Sequence, residues 1–100
     1  MSQFVVLFQD NLDRANERPR HMAAHLEFLR RNADRIQAAG PLMRPDDGAG
    51  AGGLWLVSAE NAETVETLVR EDPFWPTGLR KDVTILGWKQ VFRDGQRLNS

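Results

Sequence analysis

Phe4-Val5-Val6-Leu7-Phe8 is a short unbroken apolar run, rich in β-branched and aromatic residues, and it reads as a buried strand. Side chains alternate along a strand, so Phe4, Val6 and Phe8 share one face while Val5 and Leu7 share the other. Neither face is polar. The same holds for Leu54-Trp55-Leu56-Val57, where Leu54 and Leu56 oppose Trp55 and Val57. A last strand is expected over Val83 to Phe92, with Val83, Ile85 and Val91 opposing Leu86, Trp88 and Phe92. These strands belong to a sheet that needs cover on both sides.

Between the strands, the periodicity changes to that of helices. Met22, Leu26 and Leu29 recur at spacings of four and three after Pro19, which suits a first helical turn; Ala23, Ala24 and Phe28 widen the stripe. Ala62, Val65, Leu68 and Val69 form a second stripe behind Asn61, a good N-cap, and Asp72-Pro73 stops it. Ile36 to Met43 is extended, and Gly40-Pro41 within it implies an edge strand or a bulge. Arg44 to Gly53 reads by composition as a flexible linker; it has neither of the glycine spacings of a phosphate-binding loop. Phe74 to Gly78 reads as a turn-rich connector, and Arg93 to Ser100 as a frayed polar tail.

The resulting order, β-α-β-β-α-β, predicts an α+β fold: a ferredoxin-like sandwich with one antiparallel sheet and two helices on one face. Two helices cover only one face. The other is an apolar patch larger than a soluble monomer exposes, which predicts a homodimer packed sheet on sheet, a dimeric α/β barrel.

Bulk properties narrow the function. The chain has 100 residues, expected to form one domain over 1–100, with 41% hydrophobic and 27% charged residues. At this length roughly 60–70% of the unfolded surface is buried on folding. A net charge of −1 with no basic stripe argues against nucleic acid, and no apolar run is long enough to span a membrane. With no cysteine, disulfides, thiolate metal sites and cysteine nucleophiles are excluded; with no signal-peptide pattern, a cytoplasmic protein is expected.

Several segments together resemble the YciI-like (YCII-related) family. They are Ala24-His25-Leu26-Glu27-Phe28-Leu29, Ala33-Asp34-Arg35-Ile36, Ala39-Gly40-Pro41-Leu42, Glu71-Asp72-Pro73-Phe74 with Gly78-Leu79, and Lys89-Gln90-Val91-Phe92. The resemblance spans nearly the whole chain. It implies a ferredoxin-like dimer with a site built on a histidine and an aspartate, falling here on His25 and Asp72, and enzymatic activity for some members, dehalogenation among them. Where the family often carries an arginine, three residues before its histidine, this chain has Met22, with Arg18 and Arg20 as substitutes from the preceding turn.

The residues support that pair independently. His25 lies between Met22 and Leu29, on or beside the apolar helix face. Antiparallel helices bring the start of the first and the end of the second to one end of the domain, so His25 and Asp72 become neighbours. A carboxylate beside an imidazole fixes its tautomer and favours its charged form, as a general base or acid near neutral pH requires. Phe74 and Trp75, following Asp72, are candidate pocket walls, with Arg20 a candidate substrate-binding cation; Trp55 and Trp88 read as core or interface. His21 and His25 have the i, i+4 spacing of a zinc pair with Asp72 as a third donor, but the partnering glutamate and a fourth ligand are missing, so no metal and no cofactor are expected. Two functions fit: a cofactor-free isomerase, lyase or dehalogenase-like enzyme of a small oxygenated molecule, or a non-catalytic small-molecule-binding or interaction module.

Overall fold

The computed structural model describes residues 1–98. Its elements are β1 (Ser2–Asp10), α1 (Glu17–Arg31), β2 (Ile36–Met43), β3 (Gly50–Ala59), α2 (Ala62–Glu71), β4 (Arg80–Gly87), β5 (Phe92–Arg93) and β6 (Gln96–Arg97), with one-turn 3-10 helices at Leu12–Arg14 and Trp75–Thr77. The main sheet has the order β2-β3-β1-β4, antiparallel throughout, and the split βαβ arrangement expected from the element order.

Alternation sorts the apolar residues as the sequence implies. Val6 and Phe8 of β1, and Trp55, Val57 and Ala59 of β3, are buried beneath Phe28 of α1 and Val65, Leu68 and Val69 of α2. Asn61 caps α2, its Oδ1 accepting from Thr64 N at 2.9 Å. Pro19 falls in the first turn of α1, where a backbone donor has no helical acceptor. β2 is an edge strand, and its register shifts between Pro41 and Met43.

Two expectations are corrected. The glycine-rich segment is not wholly a linker, because Gly50–Ala59 is one strand and Gly52 and Gly53 are buried in it. A Cβ on Gly52, at φ +94°, would come within 1.9 Å of the Phe8 carbonyl oxygen; one on Gly53 would meet Arg80 Nη1 at 3.3 Å. Glycine is there for close approach as well as for freedom.

The last strand is also shorter than its apolar run. β4 pairs with β1 as far as Gly87 opposite Phe4; beyond Trp88 N to Gln3 O, β1 runs out. The chain then reverses at Asp94-Gly95, both at positive φ (55° and 76°), so residues 92–97 form a two-residue-turn hairpin in a segment read as strand end and frayed tail. The rest of that tail, Asn99 and Ser100, lies outside the described residues.

Candidate active site

Antiparallel pairing brings the end of β1, the start of β4 and the start of β3 to one end of the sheet. The middle of α1 and the end of α2 meet there. α1 supplies His25, 6% exposed, and the residue closing α2 is Asp72, 2% exposed. His25 Nδ1 lies 2.8 Å from Asp72 Oδ1. The same oxygen accepts from Phe74 N at 3.2 Å, which folds the chain back so that the Phe74 ring stacks on the imidazole, centroids 4.1 Å apart and planes at 18°. An ionised carboxylate only accepts, so the hydrogen-bond pattern puts the proton on Nδ1 of the neutral ring. Nε2 then carries the lone pair, the arrangement of a general base.

A second charged group flanks the first. Arg80, the first residue of β4, donates from Nη1 to Asp10 Oδ1 at 3.1 Å, and its Nη2 stands 3.9 Å from Asp72 Oδ2. Its guanidinium lies over the Phe8 ring at 4.0 Å and within 5.3 Å of the Phe74 centroid. Burial lowers its pKa, against the opposing pull of Asp10 and Asp72. Arg18 Nη2 bonds the other oxygen of Asp10 at 2.5 Å. The signs alternate from Arg18 through Asp10 and Arg80 to Asp72, which holds the His25 ring.

His25 and Arg80 line a cavity of about 80 Å³ whose other walls include Arg18, Met22, Leu26 and Trp55. Arg18 also borders a larger open cleft of about 820 Å³, lined by Asp10, Asn11, Arg44, Gly52 and Lys81. Of the two, only the small cavity is lined by His25; Asp72 and Phe74, buried and in contact with the imidazole, line neither.

The candidates named from the sequence fare unequally. His25, Asp72 and Phe74 come together. Trp75 does not line the cavity and is 39% exposed, because the tight turn after Asp72 takes Phe74 inward and the next side chain outward. Arg20 is 70% exposed and pairs with Glu17 at 3.4 Å; Arg18, half a turn earlier, reaches the cavity instead. His21 pairs with Glu17 at 3.0 Å, and among the described residues no three His, Cys, Asp or Glu side chains converge as metal donors. Asp10, Arg80 and the cavity-lining role of Trp55 were missed. The available signal was two opposite charges abutting apolar strands that become neighbours in the sheet.

A family model of the YCII-related domain matches residues 2–89. The chain belongs to the YCII-related family. Among solved structures, this YCII-related chain is similar to 5-chloro-2-hydroxyhydroquinone dehydrochlorinase from Burkholderia phenoliruptrix, in complex with 2,5-dihydroxybenzoquinone. The TM-score is 0.76 and the identity 28%, over 87% of this chain and 93% of that one. A weaker likeness, to an Arabidopsis thaliana protein, has a TM-score of 0.47 and 13% identity over 90% of this chain and 95% of that one. None of the curated proteins matches.

Proposed function

We propose that this protein is a cofactor-independent enzyme in which His25 moves a proton on a small, partly apolar, oxygenated molecule, in an isomerase, lyase or dehalogenase-type step. The observation that carries this reading is the 2.8 Å contact between His25 Nδ1 and Asp72 Oδ1, in a ring that also lines a cavity. Nε2 accepts the proton from an O–H or activated C–H group. Asp72 stabilises the imidazolium so formed and holds its orientation until the proton is returned. Phe74 and Trp55 supply apolar surroundings. The likeness to a dehydrochlorinase supports this class, since loss of hydrogen chloride is proton removal with departure of chloride and its electron pair, and needs no external oxidant.

The proposed unit is a homodimer. Across the outer sheet face, Ala38, Leu56, Val5 and Leu86 are register partners, and so are Gly40, Leu54, Leu7 and Thr84. Leu86 is 50% exposed and Trp88 45%, an apolar face that a second copy would cover. No helix among the described residues is long and apolar enough to cross a membrane. A cytoplasmic setting, with neither nucleic acid nor membrane as partner, remains part of the proposal, in keeping with a cysteine-free, weakly acidic chain.

A binding module without turnover is the second reading, favoured by the small volume beside a nearly buried His25. One experiment separates the two. With 5-chloro-2-hydroxyhydroquinone as probe, chloride release is followed by electrode, and 2,5-dihydroxybenzoquinone binding by absorption. Release by the native chain that falls about 100-fold or more in His25→Gln supports the enzyme. Binding without release supports the module. Neither binding nor release overturns both for this ligand class.

A further inference from the structure

The Arg80 side chain is 3% exposed, yet among the described residues only one of its nitrogens finds a hydrogen-bond acceptor. Nη1 is held by Asp10. Nε is fully buried and has no acceptor among the described residues. Nη2 makes only the 3.9 Å ion contact with Asp72 Oδ2, too long for a hydrogen bond. Nε–H and Nη2–H form one planar edge of the guanidinium, the edge that receives two coplanar oxygens in bidentate pairs. A buried donor left without an acceptor is costly, so one that persists in a folded protein calls for a partner such as a ligand, an ion or a bound water.

The rest of the side chain is immobilised. Phe8 packs under the guanidinium at 4.0 Å, Asp10 grips Nη1, and Gly53 leaves the space that Nη1 occupies. This side chain shares the cavity wall with His25.

We propose that the Nε/Nη2 edge of Arg80 binds a pair of adjacent, coplanar oxygens on the substrate; where one of them is a hydroxyl, it is the oxygen that becomes anionic when His25 takes its proton. This rests on the acid–base reading of His25 and names the substrate class for it: a small planar molecule bearing either a hydroxyl beside a carbonyl or a carboxylate. In the hydroxyl case the O–H bond breaks, its electron pair stays on oxygen facing Arg80, and the proton goes to Nε2. Positive and negative charges then alternate along Asp10, Arg80, the oxyanion and the imidazolium over Asp72, with no net change in charge.

The test is titration of the native protein, labelled with ¹⁵N, using three probes: 2,5-dihydroxybenzoquinone (hydroxyl beside carbonyl), benzoate (carboxylate) and 1,4-dimethoxybenzene (no acidic oxygen). The Arg80 Nε–H resonance is expected to move with the first or second probe, which tells the two oxygen sources apart, and to stay still with the third. Arg80→Lys keeps the charge but loses the planar edge. It is expected to weaken binding of the responding probe about ten- to a hundredfold while leaving dimethoxybenzene unaffected. If a probe perturbs His25 but leaves the Arg80 Nε–H resonance unmoved, the Arg80 inference is overturned and the His25 reading stands. If no probe perturbs either side chain, both fall.

Discussion

Phe74 joins the two halves of the site at the level of single residues. Its ring stacks on His25, its backbone N–H helps hold Asp72, and the Arg18 and Arg80 guanidinium carbons lie 5.6 and 5.3 Å from its centroid. Asp72 is the more informative position to change. A carboxylate can only accept from Nδ1, whereas an amide can donate to it and move the ring proton to Nε2. Asp72→Asn should therefore convert the neutral His25 ring from the Nδ1–H to the Nε2–H tautomer, read from its ¹⁵N shifts. It should lower proton-transfer turnover about 100-fold or more and cost about 1–3 kcal/mol of stability through the buried contacts it weakens. Asp47→Asn, on an exposed turn, should change neither tautomer nor turnover.

Among the elements, the start of β3 is where composition misleads most. Read as GAGAGG, residues 48–53 look like a tether, and equal tolerance to substitution would follow. The strand geometry says otherwise. Gly52→Ala forces a positive φ on alanine and drives its Cβ into the Phe8 carbonyl, so a loss of at least about 2 kcal/mol is expected in urea unfolding. Gly50→Ala, whose Cβ meets nothing within 4 Å, should change stability by less than about 0.5 kcal/mol. Gly53→Ala falls between them in clash but presses on Arg80 Nη1, so its effect should appear in ligand binding more than in stability.

For the whole molecule, the decisive quantity is the apolar area on the outer sheet face. Val5, Leu7, Leu54, Leu56 and Leu86 form a continuous surface across the three strands β3, β1 and β4. Light scattering of the native chain at micromolar concentration should report a dimer. Leu86→Asp or Trp88→Glu should shift it to monomer or aggregate, because a charge buried unpaired at an apolar interface is strongly disfavoured. A stable native monomer at that concentration would refute the sheet-on-sheet assembly.

Element order, the buried face of α2, the Asn61 cap, the edge position of β2 and, with the family resemblance, the meeting of His25 with Asp72 were legible in the sequence. Each follows from short-range rules: alternation in strands, a 3.6-residue period in helices, and the antiparallel arrangement of the helices. The α1 stripe, by contrast, misplaced that helix's buried face, which is His25 and Phe28 with Leu26 56% exposed. What the sequence could not disclose depends on contacts between distant segments. Asp10 and Arg80 are seventy residues apart and form a pair only because β4 inserts next to β1. The exclusion of Trp75, the choice of Arg18 over Arg20 and the need for glycine at 52 and 53 likewise depend on which atoms approach across the fold. Local chemistry determined which elements form and which faces are apolar; tertiary packing decided which charges lose their water, and hence which buried guanidinium nitrogen has no acceptor among the described residues, close to His25.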